Sequence, residues 1–264
     1  MEHPCAGLTA EEAETYARDG VVRLSGLIPA PDIAAMRDAV WRKLDARPER
    51  AARPSKLTAR DGEFDAIGSP AIRALLDSLL GEWEEPARWG LPLVAFHTGE
   101  TAWDVPHRNW HIDLGGLPGD YSLARFFVIL EPSRPGGGGT GYVAGSHRLL
   151  TALVGREDRF RSSAEARRRL IAHAPWFAEL SSIRPGEDRI QRFMRDGADV
   201  DDVSVRVGEM LGEPGDVILM HPLMLHAPMP NVLATPRMML TQFVYGRPQA
   251  ARAMTRLRPR DLAS

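Results

Sequence analysis

The hydrophobic period of this chain changes at Leu91, and that change constrains the fold more than any other feature. Downstream, apolar residues recur at strand spacing over Leu91 to His97, Trp110 to Leu114, Leu123 to Leu130, Gly141 to Ala144, Val203 to Val207, Asp216 to His221 and Met238 to Tyr245. Short strands separated by Gly/Pro turns predict a double-sheet jelly roll, not alternating β-α units. Upstream the period is helical. Thr9-Ala10-Glu11-Glu12 is a capping-box start closed by Asp19-Gly20, ahead of a strand at Val21 to Leu24. Ile33, Met36, Val40 and Leu44 define one face of a helix from Asp32 to about Leu44, and Ser69-Pro70 opens another through Leu80 with Gly81 as its stop. Arg47 to Gly62 is polar and breaker-rich, and reads as a loop.

Between the fourth and fifth of these strands lies Thr151 to Asp202, rich in arginine and predicted helical at Ala164 to His173 and Arg189 to Arg195. A helical insertion in a sheet fold reads as a lid. The expected class is therefore mainly β with flanking helices, as a single domain over residues 1–264. Its helical part covers about 1–90, its jelly-roll core about 91–247, and its lid insertion about 151–202.

Charge and cysteine content narrow the function classes. Lys+Arg 33 against Asp+Glu 35 leaves a net charge of -2, which argues against a chain built to cover nucleic acid or an anionic membrane. The Arg156 to Arg169 run is interrupted by Glu157, Asp158 and Glu165, so it reads as a solvated helix face. A lone cysteine, Cys5, excludes an intrachain disulfide framework and a Cys-rich metal site, and fits a reducing cytoplasm. Met1 to Pro4 lacks the basic start of a signal peptide, and the apolar run Val217 to Leu225 is interrupted by His221 and Pro222. The expectation is a cytoplasmic monomer or homodimer acting on a small molecule, with no nucleic-acid or membrane partner.

Two segments carry the chemistry. In Trp110-His111-Ile112-Asp113-Leu114 an imidazole and a carboxylate stand two residues apart, so on a strand they share one face while Ile112 packs behind. One more imidazole would complete the two-His, one-carboxylate facial triad that holds non-haem Fe(II) and leaves positions open. Gly215 to Asn231 supplies it, at His226 or at His221. Five residues apart, the two cannot both point inward on one regular strand, though Pro222 between them allows a kink. Pro228, Pro230 and Asn231 end the strand of His226 and Arg237 opens the next, so the two are expected on neighbouring antiparallel strands, and a guanidinium buried beside Met238, Met239 and Leu240 needs an anion. Metal plus arginine describes a pocket for a small dicarboxylate. Spacing alone is weak evidence, since His97 with Arg108 and His173 with Arg184 share the eleven-residue offset of His226 with Arg237. Order and context carry more weight.

On those residues the chain resembles the phytanoyl-CoA dioxygenase family of Fe(II)/2-oxoglutarate oxygenases, from about residue 18 to 247. Gly20 to Leu27 is similar to the family's opening strand. Gly137 to Arg148 is similar to its Gly-rich turn and "PGSH" segment, and Gly215-Asp216 to the dipeptide before its distal-histidine strand. The resemblance implies a double-stranded β-helix, a cupin-like jelly roll. It also implies Fe(II) held by His111, Asp113 and His226, with 2-oxoglutarate chelating the metal and pairing with Arg237, and O2 as oxidant. It favours His226 over His221, which is left behind the metal or facing substrate. Hydroxylation of an unactivated C–H bond, with release of succinate and CO2, is the usual outcome in the family.

Several residues carry two readings. Thr241 shares the Arg237 face and either bonds the same carboxylate or is an ordinary strand threonine. Thr140 and Ser146 line the cosubstrate site or serve the turn. His97 contacts cosubstrate or substrate, or is structural. Trp103, His107, Arg108, Asn109 and Trp110 crowd the approach to the metal as candidate substrate contacts, and Trp176-Phe177 covers the mouth or anchors the lid. Two other classes stay open: a redox-silent zinc hydrolase or isomerase on the same barrel, which has no need of Arg237, and a non-catalytic binding module.

Overall fold

The computed structural model describes residues 7–45, 62–99, 102–113, 123–154 and 160–247. Leu114, most of the Arg47 to Gly62 stretch, Arg156 to Asp158 and the basic end at Arg252 to Ser264 lie outside them.

Local chemistry sets the first helices where the pattern predicts. In α1 (Ala10–Asp19) the Thr9 hydroxyl accepts from Glu12 N at 3.2 Å while the Glu12 carboxylate accepts from Thr9 N at 2.8 Å, and Gly20 closes the helix at φ 77°. Strand β1 (Val21–Leu24) follows, then α2 (Ala30–Asp45), whose Ile33, Met36, Val40 and Leu44 are all buried. Ser69 caps α3 (Pro70–Leu80) by accepting from Ile72 N, with Pro70 in its first turn.

The strands form two antiparallel sheets. β1, β2 (Leu91–Ala95), β3 (Leu123–Ile129), β7 (Val217–Met220) and β9 (Arg237–Tyr245) make a five-stranded sheet in the order β1-β7-β3-β9-β2. β4 (Thr140–Ala144), β5 (Ala198–Val200), β6 (Val203–Glu209) and β8 (His226–Pro228) make the other, in the order β5-β6-β4-β8. Crossovers between sheets build the double-stranded β-helix. The turn before β7 requires glycine: Gly215 sits at φ 97°, and a Cβ there would lie 2.7 Å from Ile28 O. Asp216 beside it accepts from Gly26 N and Glu213 N, so this dipeptide serves the turn.

Burial sorts into three layers. Val22, Leu24, Phe126, Val128, Leu219 and Leu240 face outward from the five-stranded sheet onto α2 and α3. Val143, Val205, Val207 and Ala227 face outward from the other sheet onto α4 (Ser146–Val154), α5 (Ser163–His173) and α6 (Pro175–Leu180). Between the sheets lie Val21, Phe127, Ile129, Met210, Ile218, Met220, Met224 and Met239. This alternation along each strand is what makes one face of β3 and β9 point into the barrel.

The structure departs from the sequence-based expectation in several elements: strand β5 lies inside the expected helical lid, and the strands of His226 and Arg237, expected as neighbours, fall in different sheets because β8 pairs with β4. Trp110 to Asp113 forms no strand but a single bridge, His111 opposite His226, because Asn109 has φ 64° and the Trp110 indole bonds back to Pro106 O at 2.8 Å. The helical excursion begins at Ser146, five residues earlier than predicted, and includes α6. The predicted piece at Arg189 to Arg195 is a wide, π-type turn over Ile190–Asp196.

Candidate active site

The bridge that replaces the expected strand brings the first two candidate ligands to the third. His111 and His226 exchange backbone hydrogen bonds, N to O and O to N, both at 2.9 Å, and their rings lie 4.2 Å apart between centroids. Ile112 between the candidates is buried in the outer layer under the lid helices, so His111 and Asp113 turn the other way. The ligand atoms of His111, Asp113 and His226 all fall within 4.8 Å of one another. Each imidazole Nε2 lies 3.4 Å from an Asp113 oxygen, near the spacing of neighbouring donors on one ion with bonds of about 2 Å.

Tautomers fit this use. His111 Nδ1 lies 2.7 Å from Asn109 O, and His226 Nδ1 lies 2.9 Å from Met224 O. A carbonyl can only accept, so each Nδ1 carries the proton and each Nε2 presents its lone pair inward. Burial, reinforced by the nearby Arg125 guanidinium, holds His111 below the usual imidazole range and His226 well below it. Neutral imidazoles beside one carboxylate are the donor set that a ferrous ion takes. His221 takes no part in this cluster. Its ring packs 4.8 Å from His147 and 6.2 Å from Tyr16 of α1, and its Nδ1 accepts from Leu223 N.

Arg237 starts β9 opposite Ala95 and is 7 % exposed. Its Nε donates to Gly138 O at 2.9 Å and its Nη1 reaches Leu93 O at 3.4 Å. Gly138 can offer that carbonyl because it sits at φ 76°, with Asn231 Cβ 2.7 Å from where its own Cβ would be. Desolvation lowers the guanidinium to about 10, and Glu209 opposes that shift. Thr241, four residues along the same face, points its hydroxyl toward Phe126 O at 3.5 Å. Thr140 is buried at the start of β4, opposite Pro228. Ser146 is fully buried, with its hydroxyl accepting from Leu225 N and donating to Met224 Sδ. His97 is exposed, and its Nδ1 accepts from Gly99 N in its own turn. Trp176 and Phe177 lie in the lid core as anchors.

Two polar residues of this interior have no place in the sequence-based site. Arg125 on β3 forms an ion pair with Asp113, and its Nη1 lies 3.2 Å from His226 Nε2. Glu209 at the end of β6 accepts from Gly139 N at 3.0 Å, and burial raises its carboxyl to about 7. The available signal for Arg125 is a charge inside the apolar run Leu123 to Leu130, two residues from Phe127.

A jelly-roll interior that brings two neutral imidazoles onto one carboxylate has the donor set of the non-haem iron enzymes. Within that class the chain belongs to the phytanoyl-CoA dioxygenase family, whose profile matches residues 16–239. No curated protein is significantly similar in sequence. Among solved structures the fold is similar to EctD from S. alaskensis with 2-oxoglutarate and 5-hydroxyectoine (TM-score 0.59, 16% identity, 93% of this chain and 79% of that one). It is also similar to the non-heme alpha-ketoglutarate-dependent carbocyclase SnoK from nogalamycin biosynthesis (TM-score 0.57, 19% identity, 93% and 86%). The non-heme monooxygenase ThoJ, as its nickel complex, matches at TM-score 0.51 and 17% identity over 89% and 76%.

Proposed function

We propose that this protein is an Fe(II)/2-oxoglutarate-dependent dioxygenase that hydroxylates an unactivated C–H bond of a small molecule, releasing succinate and CO2. The observation that carries the reading is the meeting of His111, Asp113 and His226 inside a barrel whose other sheet buries Arg237 at the start of β9. Bound Fe(II) and 2-oxoglutarate supply the oxidising power, with O2 as the oxidant.

The chain's own residues then divide the work. His111, Asp113 and His226 hold the metal on one side, and the two Nδ1–H bonds to backbone carbonyls keep the rings aimed. Arg237 grips the far carboxylate of the cosubstrate, with Thr241 and Thr140 as the hydroxyls on its side of the barrel. Phe127, Met239 and Met220 line the interior with apolar surface, which keeps bulk water from the reacting bond. A full carboxylate at Asp113, where related halogenases have a small residue, favours hydroxylation over halogenation. The near-neutral charge supports a small-molecule substrate with no nucleic-acid or anionic-membrane partner, and the lone Cys5 fits a reducing cytoplasm. Among the described residues no helix is long and apolar enough to cross a membrane.

The test needs no substrate. Anaerobic Fe(II) with 2-oxoglutarate should give a weak visible charge-transfer band in the wild type, absent in His111→Ala. Arg237→Met should weaken 2-oxoglutarate by about 10- to 100-fold while sparing the metal. A band that survives both substitutions overturns the reading. Once a substrate is found, the product should gain one oxygen atom; loss of two hydrogens instead would replace hydroxylation by desaturation or ring closure.

A further inference from the structure

The five-stranded sheet carries a second guanidinium into the barrel, beside the proposed metal ligands. Arg125 lies in the middle of the β7-β3-β9 sheet, paired with Met220 on one side and Phe243 on the other, and is 6 % exposed. Its carbon Cζ sits 4.8 Å from the ring centroids of both Phe127 and Phe243, so the planar fork packs against two aromatic side chains. One edge of the fork meets Asp113 and His226 Nε2. The Nε–H is buried and has no protein partner among the described residues.

We propose that Arg125 is a specificity-determining residue that grips a carboxylate on the primary substrate, next to the metal. The inference rests on reading His111, Asp113 and His226 as the Fe(II) ligands. With the lone pair of His226 Nε2 given to the metal, the guanidinium keeps Asp113 as its partner, so a fixed positive charge lies beside a dication and the Asp113 charge is shared between both cations. A further anion between them relieves that repulsion. The fork offers such an anion planar, directed donors, one of which is otherwise unmet.

The strand register separates this anion from the cosubstrate's far end. On β9, Arg125 stands opposite Phe243, six residues from Arg237, or about 20 Å of extended strand. Arg237 holds the cosubstrate's far carboxylate in the proposed function, whereas the Arg125 fork lies between two aromatic rings with an unmet Nε–H, so Arg125 is assigned a separate ligand, a small carboxylic acid whose apolar body lies along Phe127 and Phe243.

The experiment is a calorimetric titration of anaerobic Fe(II)-loaded protein, with and without 2-oxoglutarate, using matched carboxylate and amide probes: benzoate against benzamide, and 3-phenylpropanoate against 3-phenylpropanamide. Wild type should bind at least one carboxylate about tenfold more tightly than its amide. Arg125→Gln should abolish that preference and leave 2-oxoglutarate affinity within about threefold, and Arg125→Lys, which keeps charge but not the fork, should restore only part of it. The inference is overturned if wild type shows no preference in either pair, if Arg125→Gln keeps the preference, or if Arg125→Gln weakens 2-oxoglutarate about tenfold, which would give the fork to the cosubstrate. The absence of any wild-type preference with 2-oxoglutarate bound, when the metal's open positions and Arg237 are already taken, overturns the inference without a variant. Carboxylate preference without 2-oxoglutarate binding would sink the proposed function and leave the anion site standing.

Discussion

Glu209 brings a carboxylate into the space that Arg237 occupies, and its ionisation tunes what that arginine can hold. Burial raises it to about 7, with Gly139 N–H and the Arg237 charge opposing the rise. Below about pH 7 it is neutral and leaves Arg237 to an incoming dicarboxylate; above, its negative charge opposes one. Wild-type affinity for 2-oxoglutarate should therefore fall about fivefold between pH 6 and pH 8, whereas Glu209→Gln should bind tightly and evenly at both, as calorimetric titrations would register. Motif order with the family likeness brings out His111, Asp113 and His226, which the fold gathers within 4.8 Å, and singles out Arg237, which the fold buries. That order is silent on Glu209 and Arg125, since a charged residue on a strand faces core or solvent according to the sheet's pairing, which no local pattern contains.

At the scale of elements, the His111 to Asp113 segment depends on the lid, since a single bridge holds little by itself. Ile112 N donates to the hydroxyl of Ser163, the first residue of α5, at 2.9 Å. Upstream, buried Arg189 donates to the carbonyls of Val105, Pro106, Leu180 and Ser182, tying the approach loop to the lid helices. Ser163→Ala leaves a buried N–H unmet, so stability should drop by about 1 to 2 kcal/mol and ferrous affinity with it. Arg189→Met strands four carbonyls and should cost about 3 kcal/mol or more in urea denaturation. Helices with a full apolar stripe and a cap, α1 to α3, were readable in advance because those determinants are local. The strand at His226 was readable from the prolines that end it, but its partner was not: β8 pairs with β4 and not with the strand of Arg237, which lies in the other sheet, and the one-residue His111 bridge exists only once its partner is in place.

Across the whole molecule, acid should act through buried histidines. Desolvation takes His221 from the ordinary 6.5 down to about 3, and His147, packed against it, is also lowered by burial. A depressed imidazole stays neutral when folded while the unfolded chain takes up the proton, so this stability is present above about 6.5 and is lost as pH falls toward 3. Glu209 runs the other way, since its raised carboxyl favours the fold below 4.5 and ceases to as pH rises through about 7. Two imidazoles outweigh one carboxyl between those limits. Unfolding free energy should decline on acidification from pH 7.5 to 5, by roughly 1.4 kcal/mol per pH unit below 6.5 for a histidine held fully neutral. His221→Gln should flatten that slope.

By itself the sequence determined the class of fold, most strands and the likeness that names the family, because periodicity, caps, turn glycines and motif order are short-range properties written residue by residue. Only the tertiary structure decided that His221 turns toward α1, that Ser146 spends its hydroxyl on Met224 and Leu225 just before His226, and that Arg125 meets Asp113. Each of those depends on which strand lies beside which, and pairing across a closed barrel is a property of residues 100 or so apart in the chain.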